Sequence, residues 1–175
     1  MKNLILLFTF LSIFTFGQVE NFDIINDKIK WEKIFYTKDS FENIIQELKE
    51  ESSFENVQVD ENTITLNFKD LLIDYKGAGK PFMSVTEYLE SGLFFGKAVI
   101  EYKENRYKVT VTDIKYQYKP SGMRVMPIKL NPLENKVFSM NTKSFSSRFR
   151  KDAYLVNFTF TNLFNTKNTF ENKEW

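Results

Sequence analysis

The sequence predicts an α+β domain. It is a mostly antiparallel, curved sheet of about five strands in the order β-α-β-β-β-β-α, with two helices packed on one face. Two stretches of alternating apolar residues read as sequential hairpins, over 54–69 and 92–118. Two stretches with helical spacing flank them, over 38–50 and 143–164. Nineteen Phe and eight Tyr among 175 residues supply a core for a single domain without disulfides, since the chain has no Cys.

Residues 1–17 stand apart. Lys2 precedes an apolar run broken only by Thr9, Ser12 and Thr15, and Gly17 closes it. This composition predicts a secretory signal peptide cut before Gln18. Thirteen helical residues from Leu4 to Phe16 would span only about 20 Å, short of the ~30 Å hydrocarbon core. The expected product is exported, periplasmic or extracellular, with no stable membrane insertion after cleavage. Without Cys it is not a lipoprotein. Of 24 basic residues one is Lys2, so the processed chain would balance 23 basic against 23 acidic residues. That balance argues against nucleic acid as a partner.

Residues 18–28 are polar with scattered Phe22, Ile24 and Ile25, and read as a leader. The domain is expected over 29–164. Residues 29–36 (IKWEKIFY) are rich in aromatic and β-branched side chains and predict the first strand. Phe41, Ile44, Ile45 and Leu48 follow i, i+3, i+4, i+7 spacing and predict the first helix. Asp39 with Glu42 has capping-box spacing, and Ser40 competes as the cap. In the first hairpin a turn at Glu61-Asn62 sets Val59 opposite Ile64 and Val57 opposite Leu66. The LLIDY stretch extends the second strand.

Residues 76–81 (KGAGKP) read as a loop. They fail the phosphate-loop template, which needs four residues between the glycines and Ser or Thr after the Lys. Residues 84–91 hold one helical turn, with Ser84 as its cap. In the long hairpin a turn at Glu104-Asn105 pairs Tyr102 with Tyr107, Ile100 with Val109, Ala98 with Val111 and Glu101 with Lys108. The apolar parity then switches from Val109 and Val111 to Ile114, Tyr116 and Tyr118. A β-bulge near Thr112-Asp113 would account for this, as would a strand covered on both sides.

Residues 120–141 contain three prolines and read as a long connection with a short extended piece over 124–130. Residues 143–164 fit a helical stripe through Phe145, Phe149, Ala153, Val156, Phe160, Leu163 and Phe164, although 155–160 also alternates as a strand would. Residues 165–175 are polar and are expected to fray.

With its elements placed, the chain resembles a secreted bacterial domain of unknown function whose members have a TATA-binding-protein-like fold. The resemblance covers 29–164. It rests on the element order, the apolar N-terminal segment and GKAVIEYKENRYKVTVTDI, which matches that family's lysine–acidic–x–arginine–tyrosine hairpin. It implies a fold and supplies no catalytic residues. The connection over 120–141 is longer than the family's pattern.

The chain also lacks His. Ser-His-Asp and Cys-His catalysis cannot be assembled, and zinc and haem lose their usual ligands. No cofactor or metal is expected. Carboxylates remain: Asp60, Glu61, Asp70, Asp74 and Glu87 fall in or near loops, where solvated surface charge is the ordinary role. The expected function is therefore a non-catalytic binding or interaction module. Lys97, Val99, Glu101, Lys103, Lys108 and Thr110 would line the wet face of its sheet. The partner would be an envelope protein or polysaccharide. The alternative is a carrier holding a small apolar ligand between sheet and helices, over Phe94, Phe95, Tyr102, Tyr107, Tyr116 and Tyr118.

Overall fold

The computed structural model describes residues 19–119, 129–139 and 142–170. The expected signal peptide and residues 124–128 of the expected extended piece lie outside them. The described residues open with a hairpin, β1 (Phe22–Ile25) and β2 (Lys28–Thr37), then α1 (Phe41–Glu50). A second hairpin follows, β3 (Phe54–Asp60) and β4 (Thr63–Leu72). A strap over 73–86 leads to the short α2 (Glu87–Glu90) and the long hairpin β5 (Gly92–Tyr102) and β6 (Arg106–Tyr118). The described remainder holds β7 (Asn131–Pro132), α3 (Glu134–Val137), β8 (Phe138–Ser139), β9 (Thr142–Phe145), α4 (Ser147–Phe164) and β10 (Thr169–Phe170).

One sheet of eight strands has the order β1-β2-β6-β5-β4-β3, with β10 also on β2 and β7 also on β6. The sheet is larger than the five strands expected from sequence. The extra strands are β1, β7 and β10. Each is two to four residues long, too short for alternation to show in a polar segment. The leader 18–28 therefore contains half a hairpin. The expected frayed tail contains a docked strand, with Thr169 opposite Thr37 and Phe170 opposite Tyr36.

The turns suit their residues. Asn26 and Asp27 both have positive φ, 50° and 61°, as do Glu104 and Asn105, 41° and 59°. Two successive left-handed residues make the turn whose twist matches a two-residue hairpin. The expected pairs Tyr102–Tyr107, Ile100–Val109, Ala98–Val111 and Glu101–Lys108 are all in register. The bulge expected near Thr112-Asp113 is present: Asp113 (φ 51°) and Ile114 together oppose Gly96. It flips the parity, so Val111, Ile114 and Tyr116 all point into the core. Two similar bulges centre on Asp70 (φ 51°) in β4 and Asn56 (φ 55°) in β3. Asn56 and Val57 share the place opposite Leu66, so the simple Val57–Leu66 pair expected from sequence is replaced by a two-to-one arrangement. Asn and Asp tolerate left-handed backbone better than other side chains, which fits them to these positions.

The helices cover one face. α4 lays Phe149, Ala153, Val156, Phe160 and Phe164 on it, all 1% exposed or less. The helical reading of 143–164 holds from Ser147, whereas 142–145 form β9. Trp31 meets the Phe160 ring edge-on at 5.4 Å and stacks on Phe164 at 6.1 Å, and Phe68 meets Phe160 at 5.5 Å. α1 is capped by Ser40, whose hydroxyl accepts from the Asn43 N–H at 3.3 Å. Asp39, the rival cap, is instead buried. Its carboxylate accepts from Thr37 Oγ1, Thr166 Oγ1 and Asn168 Nδ2 at 3.2, 3.3 and 2.6 Å. It thereby ties the segment after α4 to the start of α1.

The strap is not the free loop the glycines suggested. Its Asp74 N–H donates to Thr159 Oγ1 on α4 at 2.9 Å. At its other end Thr86 and Tyr88 donate hydroxyls to Asp152 Oδ2 at 2.9 and 3.3 Å. It therefore runs along α4 from Thr159 to Asp152. The expected Ser84 cap is not a helix cap: Phe82–Ser84 is a 3₁₀ turn, and α2 begins after Thr86.

Candidate interaction face

Strand alternation sends every second side chain to the face that the helices leave bare. Pairing across the strands orders these side chains into rows. One row runs Gln58, Thr65, Val99, Thr110, Glu32. The next runs Asp60, Thr63, Glu101, Lys108, Ile34. On the other side lie Asn67, Lys97 and Thr112. Beyond the bulges Leu72 lies opposite Leu93, with Phe95 two residues further along β5, and Gln117 and Lys115 are their neighbours on β6.

Five of the six residues expected on this face are together on it. Val99 and Thr110 are direct partners at its centre. Glu101 and Lys108 form an ion pair at 2.6 Å, and this bond holds the lysine above its ordinary pKa. Lys97 is exposed beside them. Lys103 lies past the end of β5, where its N–H donates to the Arg106 carbonyl in the turn. Sequence reasoning missed Glu32, Ile34, Thr63, Thr65 and Asn67. Their alternation is legible in each strand, but not which strand lies beside β6.

Charges on the face are balanced locally. Glu32 Oε2 takes Lys30 Nζ at 3.2 Å and Thr110 Oγ1 at 3.3 Å. Ile34, at one corner, is 48% exposed.

The other candidates do not converge on a centre. Asp60 ends β3, Glu61 makes the turn at φ 43°, and Asp70 makes a bulge. Asp74 accepts from the Gly77 N–H at 2.8 Å, and Glu87 opens α2. No group of three His, Cys, Asp or Glu able to hold a metal occurs among the described residues. Asp152, like Asp39, is placed among hydroxyls, and burial raises its pKa above the ordinary value of 3.8. Its hydroxyl partners are Thr86, which ends the strap, and Tyr88 of α2, so its evident work is to fasten this segment to α4.

Of the expected aromatic floor, Phe94, Tyr107 and Tyr116 are buried under the helices. Phe95 turns to the bare face and Tyr118 is exposed at the end of β6. Tyr102 packs on the Phe41 ring at 5.5 Å.

No family model matches the chain, and no curated protein matches it. Among solved structures, a TBP-like protein from Parabacteroides distasonis superposes with a TM-score of 0.51 at 19% identity, over 81% of this chain and 94% of that one. The fold is TBP-like. A DUF4468 family protein from Bacteroides ovatus gives a TM-score of 0.48 at 12% identity, over 87% and 95% of the two chains. In this TBP-like chain the sheet has one face under helices and one face free of them among the described residues, and no described helix is long and apolar enough to cross a membrane.

Proposed function

We propose that this chain is an exported, non-catalytic interaction module, periplasmic or extracellular, which grips an envelope protein with the bare face of its sheet. One observation carries the reading: the rows from Gln58 to Glu32 and from Asp60 to Ile34 are accessible, rigidly spaced and mixed in charge. Beside them Leu72, Leu93 and Phe95 offer an apolar corner. Mixed charge around an apolar patch suits a protein surface. Export rests on the composition of residues 1–17. The carrier reading has the packing against it, because the rings of Trp31, Phe68, Phe160 and Phe164 occupy the space between sheet and α4.

The test is photo-crosslinking in the native host. A benzophenone side chain at Thr110 should yield a discrete adduct, whereas one at Lys49 on the outer side of α1 should not. Equal labelling from both positions, or none from Thr110, would refute the assignment.

A further inference from the structure

The strap carries a feature that packing does not explain. At its tip Phe82 is 56% exposed and Met83 is 89% exposed. Single exposed apolar residues are ordinary, but these two are adjacent and held out by a closed turn. Pro81 precedes them, the Ser84 N–H and hydroxyl both donate to the Pro81 carbonyl at 3.0 and 2.8 Å, and Val85 N–H donates to Phe82 at 3.2 Å. A second turn closes the base of the tip, where Lys80 N–H donates to the Tyr75 carbonyl at 2.9 Å.

Cations lead into this tip. Lys76 and Lys80 precede it in the strap and are exposed. Lys80 Nζ lies over the Tyr154 ring of α4 at 5.4 Å. Lys151, also exposed, lies three residues before Tyr154 and so neighbours it on that helix, whereas Arg148 acts on Asp152. The acids nearby are Asp74, engaged by Gly77, Glu87 at the start of α2, and the buried Asp152, engaged by Thr86 and Tyr88. The chain as a whole is nearly neutral, yet here basic groups cluster around two protruding apolar side chains. That combination matches the boundary of an anionic bilayer, where apolar tips enter the acyl margin and lysines meet the headgroups.

We infer that the strap tip, Phe82 and Met83 with Lys76, Lys80 and Lys151, docks this protein peripherally on anionic phospholipid. Contact is reversible, since two side chains bury too little surface for permanent attachment. The strap lies beside α4 on the covered side of the sheet, so docking by the tip leaves the bare sheet face turned away from the lipid.

The experiment is vesicle co-sedimentation of the processed chain purified from its host. Vesicles of phosphatidylglycerol and phosphatidylcholine in equal parts are compared with phosphatidylcholine alone. The chain should sediment with the anionic vesicles and be released when salt rises from about 0.1 to 0.5 M. The double variant F82S/M83S should lose about tenfold in partitioning, with an unchanged melting temperature because both side chains are exposed. K80Q/K151Q should lose the preference for anionic lipid. Three results overturn the inference: no sedimentation with either vesicle, which points to a protein as the tip's partner; equal sedimentation with both; or wild-type binding by F82S/M83S.

Discussion

The Phe68 ring lies over Gly96, its direct cross-strand partner: a Cβ on residue 96 would sit 2.5 Å from the ring's Cζ and 2.6 Å from its Cε1. The ring is fully buried and held from above by Phe160. An aromatic side chain thus fills the space a β-strand glycine leaves open.

Gly96→Ala should therefore destabilise the fold by about 1–3 kcal/mol, the usual cost of overpacking. Urea denaturation measures it. Phe68→Leu relieves the clash, so the double variant should lose less than the sum of the single losses. Additive losses would show that the ring moves aside freely.

Tyr107 joins β6 to the segment after α4. Its hydroxyl donates to the Phe164 carbonyl at 2.7 Å and accepts from the Thr166 N–H at 3.2 Å. Tyr107→Phe strands both groups and should cost about 1–3 kcal/mol. Burial also raises the Tyr107 phenol from 10 to about 12. Between those values the unfolded chain releases this proton while the folded chain keeps it, so stability falls as pH rises. Denaturation curves across that window should be less steeply dependent on pH in Tyr107→Phe.

Asp39 holds Thr166 and Asn168 through its two oxygens. Asp39→Ala should free the chain after α4 and expose the bond after Lys167. Limited trypsin digestion should cut there several-fold faster than in wild type. An unchanged rate would assign the anchoring to Tyr107, the Lys167–Glu47 bond and the β10–β2 pairing instead.

Asp152 acts in the same direction but in the acid range. Burial raises its pKa, so the folded chain holds a proton that the unfolded chain has already released. This penalty is absent below the ordinary aspartate value and is complete above the raised one. Asp152→Asn keeps an acceptor for Thr86 and Tyr88 but cannot ionise. Its stability relative to wild type should improve as pH rises from about 3 to neutrality, as thermal melts at a series of pH values would show.

The long hairpin was legible because both its faces carry a pattern. Tyr102, Ile100 and Ala98 find apolar partners in the same register that joins Glu101 to Lys108. The parity switch after Val111 marked the Asp113 bulge for the same reason. The bulge at Asp70 left no such mark, because Leu71 and Leu72 are both apolar and only the neighbouring strand decides which one turns inward. β10 was illegible for another reason. Its attachment depends on Asp39 and Tyr107, distant in sequence, and nothing in NTKNTF announces those bonds. Within one hairpin, alternation alone places Val99, Glu101, Lys108 and Thr110 on the same bare face. Its width depends on the place of β2 beside β6, a matter of topology rather than of local pattern.

That placement has a consequence for biogenesis. β2 is among the first elements to emerge, yet it lies between β6 and the late-arriving β10. A polypeptide delivered N-terminus first, from a ribosome or through a translocon, must keep Trp31 and Phe35 unsatisfied until most of its length has followed. During that interval the nascent strand is adhesive. Shielding by a holdase is the expected companion of this topology, and a stop codon placed before residue 164 should yield aggregate or proteolytic fragments in place of a shortened domain.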